Sequence, residues 1–233
     1  MQNAAAMRPE FWRGMKEAVP VILGLVPFAL VLGASGVKSG MAVWQVPLMT
    51  GTNFAGGSEF AAVSLWGNPV NIGLVVLMSV LVNSRHLVMS LAFSPLLAGV
   101  PRKQALAALY FMCDEAWAMG IAEARRHHRT QLNLPYYFGV SCHLYLAWVV
   151  FTAAGALLGP LLGNLDAYGF DMAFTAVFLV LLRGMWRGIL PAIPWLVSLA
   201  VAGGMYHAFD GAWYVAGGAV SGMLAAFWRR EKV

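Results

Sequence analysis

The stretch VNIGLVVLMSVLVNSRHLVMSLAFSPLL, residues 70–97, carries one Lys or Arg, Arg85, near its centre and no acid. At about 1.5 Å of rise per residue, a helix of that length exceeds the ~30 Å hydrocarbon thickness of a bilayer. It is therefore predicted to cross a membrane. A guanidinium so placed cannot reach an interface by a straight snorkel, so it requires a carboxylate partner or a cavity.

The rest of the chain repeats this pattern. Of its 233 residues 60% are hydrophobic and only 11% charged, a balance that a soluble domain of this size could not clothe in polar surface. Further spans are predicted at residues 20–37, 41–66, 104–121, 135–158, 170–182, 189–205 and 211–228, giving an all-α polytopic membrane protein with about eight crossings. The sixth and seventh are short and read as a tilted hairpin. In the second, Gly51, Gly56 and Gly57 break the helix, and re-entry is an alternative to crossing. Residues 1–19 read as a cytoplasmic N-terminal segment, 20–228 as one transmembrane transport domain, and 229–233 as a basic cytoplasmic tail. The N-terminal segment lacks an apolar core with a small-residue cleavage site, so it does not read as a removable signal.

The net charge of +5 reflects topology and gives no sign of a nucleic-acid partner, because the basic residues gather at span ends. With eight crossings and both termini cytoplasmic, eleven of the fifteen Lys and Arg lie inside, whereas Lys38, Arg102 and Lys103 lie outside. Cys113 and Cys142 sit in apolar segments without CxxC spacing, so neither a disulfide framework nor a metal site is expected. No P-loop is present, and no cofactor is implied.

Polar groups inside the spans are the candidates for function. In NFAGGSEF, residues 53–60, Gly56 and Gly57 permit a break and Ser58 can cap the restarted helix. The exposed amides could then hold a substrate carboxylate, with Glu59 binding an ammonium or carrying a proton. The competing reading is a glycine-mediated helix contact with Glu59 satisfied by an Arg. Asn83 and Arg85 form the second cluster; the candidate partners of Arg85 are Glu59 and Asp114, in a structural ion pair or beside a bound substrate. Tyr110, Asp114 and Trp117 follow helical spacing and are expected on one face. Phe54, Phe60 and Trp117 are expected to receive an apolar side chain. Asp171 reads as a helix N-cap, and His143 and Asp210 suggest no role. Gly33 to Gly36 reads as GxSG, which with His143 or His207 as base is the rival signature of a rhomboid-like intramembrane serine protease. A second rival is a non-transporting structural or regulatory membrane subunit, whose polar residues would pair internally without a cavity.

Taken together, GLVPFALVLG (24–33), NFAGGSEF, NSRHLVMSLAFSP (83–95), FMCDEAWAM (111–119) and YGFDMAF (168–174) resemble the AzlC-type branched-chain amino acid permease family. That resemblance implies the large subunit of a two-component secondary exporter in the inner membrane, acting with a small AzlD-type membrane subunit on valine, leucine, isoleucine or related apolar amino acids. Where the family usually shows Gln, this chain has Glu59. With the broken helix and its neighbours read as a transport site, Phe54, Gly56, Gly57, Ser58, Phe60, Asn83, Arg85 and Trp117 would contact substrate, and Glu59 and Asp114 would serve proton coupling.

Overall fold

In the computed structural model, residues 4–67, 69–162, 179, 183, 188–208 and 213–230 are described, and every regular element among them is helical. The chain divides into two compact units, Met1–Asp171 and Met172–Val233. Among the described residues, four helices are long and apolar enough to cross a bilayer: Met7–Lys38, Ile72–Leu97, Leu134–Leu158 and Ile189–Ala208. The expected span at 170–182 lies, apart from Leu179, outside the described residues, as do Asp171 and Asp210.

The first unit is built on two parallel helices, α1 (Ala4–Lys38) and α8 (Leu134–Leu158). Their backbones touch where small residues remove side-chain thickness: a methyl at Gly33 would strike the Thr152 carbonyl oxygen, and one at Gly155 that of Leu30. Such close approach is the usual basis of helix association in lipid, where burying apolar side chains gains little. Polarity is arranged accordingly. Thr50, Ser58, Glu59, Ser141 and Thr152 are 0% exposed, while Leu87, Val88 and Leu91 are about 70% exposed. Thr50 and Thr152 bond to each other through their hydroxyls at 2.9 Å.

Two segments counted among the crossings are helical hairpins, the first in the re-entrant form that was the alternative for it. The segment expected to run through 41–66 is α2 (Gln45–Asn53) and α3 (Gly56–Ser64), each with a rise of only about 14 Å. A methyl at Gly36 would lie 2.9 Å from Val46 Cγ2 and 3.7 Å from Val63 Cγ2, so the start of α2 and the end of α3 meet at one point near the C-terminus of α1. In an unbroken helix those two valines would be about 25 Å apart. The chain therefore enters and leaves at the same end.

The segment expected at 104–121 is likewise α6 (Arg102–Tyr110) and α7 (Asp114–Arg126), interrupted at Phe111–Cys113. Both arms reach Tyr137 near the start of α8: its hydroxyl donates to the Ala108 carbonyl at 3.0 Å, and a methyl at Gly120 would lie 3.1 Å from its Cδ2. The interruption corrects the expectation that Tyr110, Asp114 and Trp117 share one helical face. Cys113 is extended, at φ −117° and ψ 173°, so helical spacing does not carry across it.

This second hairpin opens toward the N-terminal end of α1, opposite to the first. Glu123 on its outgoing arm receives Arg13 Nη2 at 2.8 Å, Arg129 Nε at 3.3 Å and Asn133 Nδ2 at 3.2 Å. Asn133 also donates to Glu10, and Arg13 lies over the Tyr136 ring. Between the hairpins, α4 (Ile72–Asn83), α5 (Arg85–Phe93) and a 3₁₀ turn (Ser94–Leu97) run antiparallel to α8, ending where the Leu132 N–H meets the Leu96 carbonyl at 2.8 Å. A long helix followed by a hairpin thus occurs twice, in opposite senses. Arg102 and Lys103 consequently lie at the same end as Arg125, Arg126 and Arg129, contrary to the expectation from eight crossings. In the second unit, α9 (Ile189–Ala208) packs on α10 (Trp213–Arg230).

Candidate functional site

The tips of both hairpins and the interruption at Ser84 come together midway along α8. In the first tip, one helical hydrogen bond has been replaced. Were α2 to continue, the Ala55 N–H would donate to the Gly51 carbonyl. Instead Phe54 turns left-handed, at φ 47° and ψ 48°. The freed Gly51 carbonyl accepts from the hydroxyls of Tyr145 at 2.7 Å and Tyr110 at 3.1 Å. The freed Ala55 N–H donates to Glu59 Oε1 at 3.0 Å. Neither half of the broken bond is left bare, as a low-dielectric site demands.

This places the break two residues before the expected one and assigns the glycines another task. They are the first two residues of α3, with Ala55 as N-cap; Ser58 does not cap, but donates from Oγ to the Ala55 carbonyl at 2.9 Å and accepts from Asn53 Nδ2 at 2.8 Å. What glycine supplies here is close approach. A methyl at Gly56 would lie 3.1 Å from the Trp148 indole, and one at Gly57 would lie 3.3 Å from Val82 Cγ1 and 3.4 Å from Arg85 Nη2. Glu59, fully buried, gives its second oxygen to Trp148 Nε1 at 2.7 Å.

Arg85 opens α5 after Ser84, where the Leu87 N–H donates to the Ser84 carbonyl at 3.1 Å in a tightened turn. Of its two candidate partners it takes Asp114, with Nη1 2.6 Å from Oδ2. Both groups are partly accessible, at 40% and 44% of side-chain surface. Asp114 is the first residue of α7 and Gly57 the second of α3, so three helix N-termini, with their positive dipole ends, converge on this guanidinium. Asn83 Nδ2 donates to Asn53 Oδ1 at 3.3 Å, whereas Asn83 Oδ1 and Arg85 Nε are buried without a hydrogen-bond partner among the described residues.

Of the sequence-derived candidates, the structure gathers Phe54, Gly56, Gly57, Ser58, Glu59, Asn83, Arg85 and Asp114. Phe60 is buried on α3, and Trp117 bonds from Nε1 to the Met89 carbonyl at 3.2 Å, one turn along α5 from Arg85. Sequence reasoning missed Tyr145 and Trp148. Tyr145 receives the rings of Phe54 and Phe111 edge-on, at centroid distances of 5.1 and 5.2 Å, and so joins the two tips. Their i, i+3 spacing on α8 was the available signal, but an aromatic pair in an apolar helix has no distinctive pattern. The serine-protease dyad is not assembled with His143: that ring bonds to the Met15 carbonyl at 3.0 Å, about 30 Å along α1 from Ser35.

No solved structure matches this chain. Among curated proteins, it is 26% identical to a branched-chain amino acid transport protein AzlC of Bacillus subtilis (strain 168), over 77% of this chain and 70% of that one. It is also 26% identical to an uncharacterized membrane protein of Archaeoglobus fulgidus, over 76% and 77% of the two chains. Its identity to the inner membrane protein YgaZ of Escherichia coli (strain K12) is 20%, over 68% and 64%. The family described as AzlC protein matches residues 20–162, which span both hairpins, the central ion pair and α8. On that match the chain belongs to the AzlC family.

Proposed function

We propose that this chain is the large subunit of a secondary exporter of branched-chain or related apolar amino acids, working with a small AzlD-type membrane subunit and coupled to the proton gradient. The observation that carries this reading is the meeting of three interrupted helices at Arg85 and Asp114, between hairpins that enter from opposite ends. Interrupted helices of opposed sense, with their termini turned toward a central site, are a recurrent way to expose backbone to a solute in secondary transporters. The Bacillus subtilis relative, a branched-chain amino acid transport protein, supplies the substrate class. Glu59 and Asp114 are the carboxyls placed for proton coupling, and the cytoplasmic side is assigned to the end bearing the basic loops.

The test is efflux of labelled L-leucine, L-isoleucine and L-valine from proteoliposomes containing the full chain, with and without a co-expressed small subunit. Amino acid movement driven by an imposed pH gradient, and dependent on both subunits, is expected. Absence of movement for every amino acid tried, under either condition, would overturn the assignment.

A further inference from the structure

From the geometry around Arg85 we infer that its ion pair with Asp114 is the docking point for both charges of a free α-amino acid, the carboxylate taking the guanidinium and the ammonium taking Asp114. This rests on the transport reading above and adds the chemical basis of its selectivity.

Three observations point this way. First, the pair is accessible although it lies at the interior of the hairpin assembly: Arg85 Nη1 and Asp114 Oδ2 are 2.6 Å apart, yet each side chain keeps about two-fifths of its surface free. A partly exposed ion pair contributes little to stability, so holding the fold does not by itself account for this one. That free surface leaves room for a visitor on either partner.

Second, the backbone has been brought to the cation. Glycine at 57 lets α3 approach so closely that a methyl there would lie 3.4 Å from Arg85 Nη2. The N–H groups of Gly56 and Gly57 are the orphans of the first turn of α3, since its first helical bonds run from the N–H groups of Ser58 and Glu59 to the Ala55 carbonyl. Third, beside them Arg85 Nε and Asn83 Oδ1, a donor and an acceptor, are buried and unmatched among the described residues. Such unmatched groups are costly unless a modest opening gives them a partner. The site thus offers a carboxylate one face of donors and an ammonium two acceptors.

Charge decides the class of ligand. The resident pair is neutral as a whole, so a zwitterion adds no net charge and can interleave with it, each ligand charge gaining an opposite neighbour. A lone amine or lone carboxylate would bring an uncompensated charge to membrane depth, which is disfavoured by several kcal/mol. The site is therefore built to require both α-groups and to leave side-chain selection to the surrounding apolar and aromatic residues.

The experiment is competition against labelled L-leucine binding to the purified full chain co-expressed with its small subunit. The competitors are leucine, 4-methylpentanoate, which lacks the amine, and 3-methylbutylamine, which lacks the carboxylate. Leucine is expected to compete about tenfold to hundredfold better than either, the factor for losing one charge-assisted contact. In Asp114→Asn the deficit of 4-methylpentanoate relative to leucine should shrink; in Arg85→Gln that of 3-methylbutylamine should shrink. Because each readout is a ratio between ligands, it does not depend on how much of a variant folds. The charge-exchanged double variant Arg85→Asp/Asp114→Arg provides a second, independent readout and should bind leucine better than either single variant. Equal competition by all three compounds in the unmodified protein, or identical ratios in the single variants, would overturn the inference while leaving amino acid transport standing. If no amino acid binds or moves at all, the transport reading itself fails.

Discussion

Glu59 spends both oxygens on N–H donors, one from the Ala55 backbone and one from Trp148, and this determines what a glutamine would retain. In Glu59→Gln the amide oxygen can accept only one of them, leaving an NH₂ group facing the other. Losing one bond at a fully buried site is expected to destabilise the tip by about 1–3 kcal/mol. A lower unfolding midpoint in detergent checks this. Some transport should survive, since the resemblance implies that Gln is usual here, and efflux between about pH 5 and 9 should lose pH sensitivity if Glu59 carries the coupled proton. An unchanged profile assigns coupling elsewhere, with Asp114 next. Trp148→Phe keeps the ring but removes the other donor; amide exchange of residues 55–59 should quicken, while that of α9 stays unchanged. At this scale the sequence revealed that Glu59, Arg85 and Asp114 were costly polar groups needing partners. It did not reveal which partners, because Trp148 lies eighty-nine residues from Glu59 and nothing local encodes the encounter.

Between residue and molecule, hydropathy and glycine content proved unequal guides. α8 was legible nearly to its ends, because an unbroken apolar run flanked by Asn133 and a terminal glycine has one reading. The first hairpin was half legible: the glycine pair announced an interruption, yet the backbone reverses at Phe54, a residue chosen for its packing on Tyr145. The second was read as a continuous helix, since Phe111–Cys113 contains no Pro or Gly. Two half-length arms in series have the hydropathy of one full crossing, so the reversal is set by tertiary contacts and not by local pattern. The α1–α8 contact allows a direct test with an internal control. Gly33→Ala should force the two backbones apart and destabilise the first unit by about 1–3 kcal/mol, as overpacking does. Gly24→Ala, on the same helix with no described residue within 4 Å of the new methyl, should be neutral or slightly stabilising. Denaturant unfolding of the two variants side by side separates packing from helix propensity.

At the scale of the whole first unit, the two reversals redistribute charge between its ends. Arg8, Arg13, Lys16, Arg102, Lys103, Arg125, Arg126 and Arg129 belong to one end, while Lys38 belongs to the other and Arg85 lies between. This is a stronger asymmetry than an all-crossing arrangement gives, because Arg102 and Lys103 change sides. Loop positive charge biases segments to remain cytoplasmic, so this end is assigned to the cytoplasm. The difference between the two topologies reduces to one comparison. In a variant whose Cys113 and Cys142 are replaced by alanine, single cysteines at Ser39, Lys103 and His127 should be tested in intact cells with a membrane-impermeant thiol reagent. Position 39 is expected to react from outside, and 103 and 127 only after the membrane is permeabilised. External reaction at 103 with protection at 127 would mean that α6 and α7 cross the bilayer in series. The converging arms at Tyr137 would then not describe the protein in its membrane.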